Sequence, residues 1–189
     1  MTAYADEPGA LRVDLAFSLG ERGAMLRDGR ADAALLHHPR EDLTGLDVEE
    51  LRVEKEQVAV LPRGHRLAGR TSLTMADLAG EAMPRWPHMD SGDGPLVTEV
   101  GQLQELIALG RAVVVSPESV RGHLRRDLVS VPVVDAPPTA LVLAWAEARR
   151  SRALAAFVRV ASAVAAGHHT DADGHRSVPG GHPTVTGRP

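Results

Sequence analysis

Short aliphatic runs alternate with helix-start signals along most of this chain, and that alternation constrains it to layered α/β architecture. Leu11-Arg-Val-Asp-Leu-Ala-Phe17 places Leu11, Val13, Leu15 and Phe17 on one face, the pattern of a strand. Ser18 and Glu21 stand at capping-box spacing, so a short helix is expected from there to about Asp28, with Gly29 closing it. The run Ala31 to Leu36 then predicts a buried strand ending at His37-His38-Pro39. Strand, helix and strand at this spacing form a βαβ unit, for which parallel pairing is the default expectation.

The same grammar continues. Val48–Val53 and Val58–Leu61 read as strands broken near Lys55-Glu56, followed by a turn at Pro62–His65. Thr74 and Asp77 have capping-box spacing, with Leu73 placed to staple onto Leu78. Residues 84–95 are a loop on composition. Thr98 is the expected N-cap of a helix carrying a Leu103, Leu106, Ile107 stripe and ending at Gly110. Ala112–Val115 reads as a short strand. Ser116-Pro117 opens a further helix, with serine at the cap and proline at the first helical position. Leu128–Val134 and Ala140–Trp145 read as strands, and Ser151 begins a last helix with Leu154, Phe157, Val158 and Ala161 on one face. Residues 167–189 hold almost no large apolar side chain and are expected to be a disordered tail.

Composition removes several functional classes. There is no cysteine, which excludes disulfides, thiolate zinc sites and cysteine nucleophiles. The net charge of −4 gives no global support for binding nucleic acid. Lys55 is the single lysine among 21 basic residues. The first nine residues lack the apolar core of a signal peptide, and no run approaches a membrane span, so a cytoplasmic location is expected. Nucleophile-elbow, Walker A, dinucleotide-binding glycine and zinc-protease motifs are all absent, so no catalytic residue and no cofactor is expected. Arg121-Gly-His-Leu-Arg-Arg126 reads as a solvated helix end rather than a nucleic-acid patch. His168, His169, His175 and His182 match no defined metal-site spacing, and no metal is expected.

The order of these segments resembles the effector-binding domain of LysR-type transcription regulators over residues 10–166. Leu26-Arg-Asp-Gly-Arg-Ala-Asp-Ala-Ala-Leu-Leu36 is similar to that family's "leucine-x-x-glycine-x-x-aspartate-x-alanine" passage. Val58-Ala-Val-Leu-Pro-Arg-Gly-His-Arg-Leu67 resembles the end of its crossover strand, and Leu73–Leu78 its "leucine-x-x-x-aspartate-leucine" helix. Leu106–Pro117 resembles its "valine-x-x-glycine-x-glycine-valine" segment, with Arg111-Ala112 departing from the second glycine. Leu141–Phe157 resembles its closing strand and helix.

The resemblance implies a fold like type 2 periplasmic binding proteins: two α/β lobes joined by crossover strands. Lobe one would hold residues 10–57 and 141–166, and lobe two residues 58–140. It further implies a small-molecule effector in the cleft, pairing as a homodimer or with other sensing domains of the family, and a role in transcription regulation. The family's winged helix-turn-helix has no counterpart in this sequence. Neither do the first strand and most of the first helix of lobe one, so an N-terminally truncated member is expected, with no direct nucleic-acid or membrane partner. That missing strand belongs between the segments 11–17 and 32–37, which would leave two inner edges unpaired unless those segments pair directly.

Four residues are the expected effector-binding positions. His37 and His38 end a strand, where open α/β sheets place ligands, or are simply a loop pair before Pro39. Thr98 and Ser116 stand at helix starts that suit an anionic effector, or are ordinary caps. The alternatives are a stand-alone solute-binding module, a non-functional remnant, an interaction protein, or a small enzyme whose pocket would converge on His37, His38 and a carboxylate.

Overall fold

The computed structural model describes residues 2–18, 20–87 and 92–174. Two three-stranded sheets carry the fold, both wholly antiparallel. The first orders β1 (Ala34–His38), β6 (Thr139–Ala146) and β2 (Leu46–Glu54) with β6 in the centre. The second orders β4 (Val114–Pro117), β3 (Gln57–Pro62) and β5 (Leu128–Val133) with β3 in the centre. The chain leaves the first sheet between β2 and β3 and returns between β5 and β6. Among the described residues four α-helices accompany them: α1 (Thr2–Ala5), α2 (Arg22–Arg27), α3 (Val100–Ala108) and α4 (Arg152–Gly174). Short 3-10 turns cover Ala76–Leu78 and Glu118–His123.

The run Val58–Leu61 is continuously apolar because both faces of β3 are covered. Ala59 and Leu61 join Leu67, Leu73, Leu78, Val113, Val131 and Val133 on one face. Val58 and Val60 join Ile107, Ala112, Val114 and Leu128 on the other, where Leu103 and Leu106 of α3 also pack. Each leucine buried this way contributes about 2 kcal/mol of apolar transfer free energy. The expected capping box forms in full. Asp77 Oδ2 accepts from Thr74 N and Oγ1 at 2.8 Å each, and Asp77 N donates to Thr74 Oγ1 at 3.2 Å. Leu73 and Leu78 share one core cluster, as the staple requires. α3 ends in a Schellman arrangement: Gly110 N donates to Ile107 O and Arg111 N to Leu106 O, both at 2.8 Å, with Gly110 at φ +68°.

The first sheet corrects the expectation of parallel βαβ pairing. β1 runs antiparallel to β6, with Ala34 opposite Ala144 and His38 opposite Ala140. The segment 10–18 forms no strand, and Leu11, Leu15 and Phe17 are 65%, 68% and 94% exposed. Direct pairing of 11–17 with 32–37 does not occur either. The reason lies on the outer edge of β1. Leu35 O accepts from Arg22 Nη1 at 2.9 Å, His37 N donates to Glu41 Oε2 at 2.8 Å, and Glu41 N donates to His37 O at 3.0 Å. Those are the groups that a further strand would need. Alternation in 11–17 supplies an apolar face, but no free edge on β1 receives it.

Three helix starts also differ from expectation. α2 begins after Glu21 with no side-chain cap bond, so the Ser18 box does not form. α3 begins after Glu99 and not Thr98. Ser116 lies inside β4 opposite Val58, and the turn after it starts beyond Pro117. In an extended residue paired on a sheet, serine has no helix amides within reach to cap. Ser151 does cap the last helix: its Oγ accepts from Leu154 N at 3.0 Å. That helix runs to Gly174, so backbone order continues into the segment 167–174 that composition assigned to the tail; residues 175–189 lie outside the described residues. At the other end Tyr4 is buried. Its ring meets Phe157 edge-on at 5.1 Å, and its hydroxyl donates to Ala153 O at 3.4 Å, tying α1 to α4.

Candidate functional site

The β1 end of the first sheet faces the β4 end of the second. Arg40, two residues beyond β1, reaches across, and its Nη2 donates to Val115 O at 2.5 Å. His37 and His38 close β1 beside it, and Ser116 follows Val115 in β4. α3 and β4 are joined through Gly110, at φ +68°, and Thr98 stands two residues before α3. His37 and His38 thus stand at the β1 end of the Arg40–Val115 bridge and Ser116 beside its β4 end, while Thr98 makes its hydrogen bonds elsewhere. No hydrogen bond among the described residues joins Thr98 to the other three; its N and Oγ1 donate to Gln102 Oε1 at 2.9 and 3.3 Å.

Polar contacts tie the two crossovers to each other and to the second sheet. Glu54 takes Ser119 N at 3.3 Å and Ser119 Oγ at 2.9 Å on its carboxylate, and Glu118 N donates to Glu56 O at 3.0 Å. Gln57 and Thr139 are buried polar residues at the two crossings, and Thr139 Oγ1 donates to Gln57 Oε1 at 3.4 Å. The amide of Gln57 donates to Glu54 O at 3.1 Å, so this buried pair is satisfied on both sides. On a second flank Gly20, at φ +79°, lies against Pro87. A side chain there would place its Cβ 1.9 Å from the Pro87 carbonyl oxygen, so only glycine fits this close approach.

Charge around the facing ends is organised by Glu41. Its carboxylate takes Arg22 Nε at 3.1 Å and Nη2 at 2.9 Å, a two-pronged pair, as well as the His37 amide. Burial, reinforced by the positive charge of Arg22, holds the His37 imidazole below its ordinary value of 6.5, so this ring is neutral at neutral pH. Burial also lowers the pKa of Arg40. Sequence reasoning missed Arg22, Arg40 and Glu41. Their separations in the chain match no motif; the packing of α2 beside β1 and the turn after His38 bring them to one edge.

Other candidate chemistry does not assemble. No group of three or more His, Asp or Glu side chains suited to a metal occurs among the described residues. The Arg121–Arg126 cluster is matched by its own acids: Arg121 with Glu118, and Arg125 with Glu105 and Asp127. No described helix is long and apolar enough to cross a membrane. Shallow grooves lie instead between β2 and α4, lined by Glu49, Trp145, Arg150, Val158 and Ser162 among others, away from the four expected positions.

Two mixed α/β units joined by paired crossovers define a periplasmic-binding-protein-like fold. Residues 8–166 match the LysR substrate binding domain, and the chain belongs to that family of effector-binding domains from transcription regulators. The effector binding domain of QuiR in complex with shikimate superposes with a TM-score of 0.61 at 17% identity, over 77% of each chain. An effector binding domain of a BenM variant gives 0.59 at 19% identity, over 77% of this chain and 76% of that one. The reduced form of OxyR gives 0.57 at 19% identity over the same shares. Against full-length BenM the chain spans 55% of that protein. No curated protein matches this sequence.

Proposed function

We propose that this chain senses a small molecule bound between its two lobes, as part of a cytoplasmic LysR-type regulator. Lobe one comprises residues 10–57 and 141–166, and lobe two residues 58–140. The observation that carries this reading is the Arg40–Val115 bond, which ties the end of β1, beside His37 and His38, to β4, beside Ser116, in two sheets linked by two crossovers. Ligand in that cleft favours one inter-lobe angle, and the angle alters how the domain pairs with a second sensing domain. His37, His38, Thr98 and Ser116 are the proposed contacts, and the ligand is a small anion. BenM is described with its effector benzoate and QuiR with shikimate, both carboxylates. A net charge of −4 and a self-neutralised basic cluster support sensing rather than DNA contact by this chain. The absence of any catalytic motif supports a non-enzymatic role.

Thermal melting of the chain against small organic acids, amines and neutral compounds tests the reading. A ligand at a hundred times its Kd stabilises the folded state by about 2.7 kcal/mol, and the shift saturates. A melting curve that no compound moves contradicts it.

A further inference from the structure

Arg40 is the unspent charge of this cleft. Its bond to Val115 O engages a neutral carbonyl, which orients the guanidinium without compensating its charge. The neighbouring acids are already engaged. Glu41 holds Arg22 in a two-pronged pair and the His37 amide, and Glu54 holds Ser119 with Arg52 3.6 Å away. Arg40 has no acidic partner among the described residues. His37 adds no compensating negative charge, and its neutral ring adds no competing cation.

Arg40 is an exposed residue in the turn after β1. The protein packed around its guanidinium nonetheless desolvates it enough to lower its pKa. A partly desolvated cation gains most from an anion that takes its planar fork with two parallel bonds. The Val115 bond uses Nη2, and the remaining N–H groups are available to such a partner.

We propose that Arg40 is the residue that selects carboxylates in this cleft, holding the acid group of the ligand while its bond to Val115 O keeps the guanidinium aimed. This deepens the sensing reading and rests on it. A ligand held this way is bonded to lobe one while its anchor is bonded to lobe two, so acid binding strengthens the tie between lobes.

The test uses the full chain, its Arg40→Met variant, which keeps length and removes the charge, and its Arg40→Lys variant, which keeps charge and removes the fork. The probes are benzoate and shikimate, with benzamide, benzylamine and inorganic phosphate beside them, each titrated by calorimetry. The expected result is a carboxylate that binds the wild-type chain and weakens about 10- to 100-fold in Arg40→Met, with a smaller loss in Arg40→Lys and no preference for benzamide. Should Arg40→Met not fold, the loss in Arg40→Lys decides alone. Equal carboxylate affinity in wild type and variants overturns the assignment of Arg40 and leaves the sensing reading standing. So does binding of benzamide or benzylamine but no acid. A wild-type chain that binds none of the probes counts against both.

Discussion

The two sheets contain the same number of strands but are built to different standards of burial. In the second sheet β3 is covered on both faces, and two apolar clusters meet on it. In the first sheet a smaller cluster, Leu26, Leu36, Leu46, Val142 and Ala144, covers one face, Leu143 is buried on the other, where Ser162 of α4 donates to Glu49 Oε1 at 2.9 Å, and β2 beyond Leu46 alternates half-buried with exposed residues. The outer edge of β1 is closed by Arg22 and Glu41 rather than by another strand. One half is thus held by packing, and the other depends partly on a polar clasp. A sheet with two large apolar clusters gives a rigid anchor, while one with a smaller cluster and a polar edge opens more readily.

Cutting the core of each half should break this comparison most visibly. Leu61→Ala removes a fully buried side chain from the two-sided sheet and should cost about 4 kcal/mol in chemical denaturation. Leu36→Ala, in the smaller cluster that can relax more, should cost about 2–3 kcal/mol. A reversed order would mean that the first sheet carries the stability.

The clasp comes next. Glu41→Ala strands Arg22 and reopens the β1 edge, which should cost about 2 kcal/mol, since Arg22 is partly solvated and softens the loss. Hydrogen exchange should speed up at His37 and leave β3 unchanged. Exchange that accelerates equally in both sheets would show that the halves are not separable.

A smaller effect follows from His37. Its folded-state pKa lies below the unfolded value of 6.5, so the unfolded chain binds the proton more readily. Stability is therefore full above pH 6.5 and declines as pH falls below it, levelling off once the folded state is protonated too. His37→Asn should flatten that part of the pH profile; an unchanged slope would place its origin elsewhere. Smallest is Phe17→Ser. A side chain 94% exposed contributes to no core, so the change should stay within about 0.5 kcal/mol.

The same contrast explains what the sequence made legible. Where burial is two-sided, local pattern and tertiary outcome agree: the run Val58–Leu61, the Thr74–Asp77 box and the Gly110 stop all form as read. In the first sheet they part company. Leu11–Phe17 has a strand's alternation, but pairing is a property of two segments, and the β1 edge it would need is filled by side chains. The partner of β1 was missed for a related reason. Its partner β6 lies about a hundred residues away in the chain, beyond any local spacing rule. Tyr4 belongs to the same class, since its burial depends on Phe157 at the far end of the sequence.

Of the site, the strand end at His37-His38 was legible from the Pro39 stop and the apolar run before it. Ser116 was misread as a cap because Ser-Pro before an acidic residue fits a strand exit as well as a helix entry, and Thr98 because the helix starts one residue later. The Arg22–Glu41 clasp and the Arg40 bridge were not legible, being long side chains whose partners are fixed only by the fold.

Hydrogen exchange of the full chain, with and without a carboxylate that stabilises it, tests the central claim most directly. The account predicts slowed exchange at residues 37–41 and at 114–116 in the same experiment, because one ligand bridges the facing ends of both sheets. Protection confined to the β2–α4 grooves, or to one sheet alone, would contradict it.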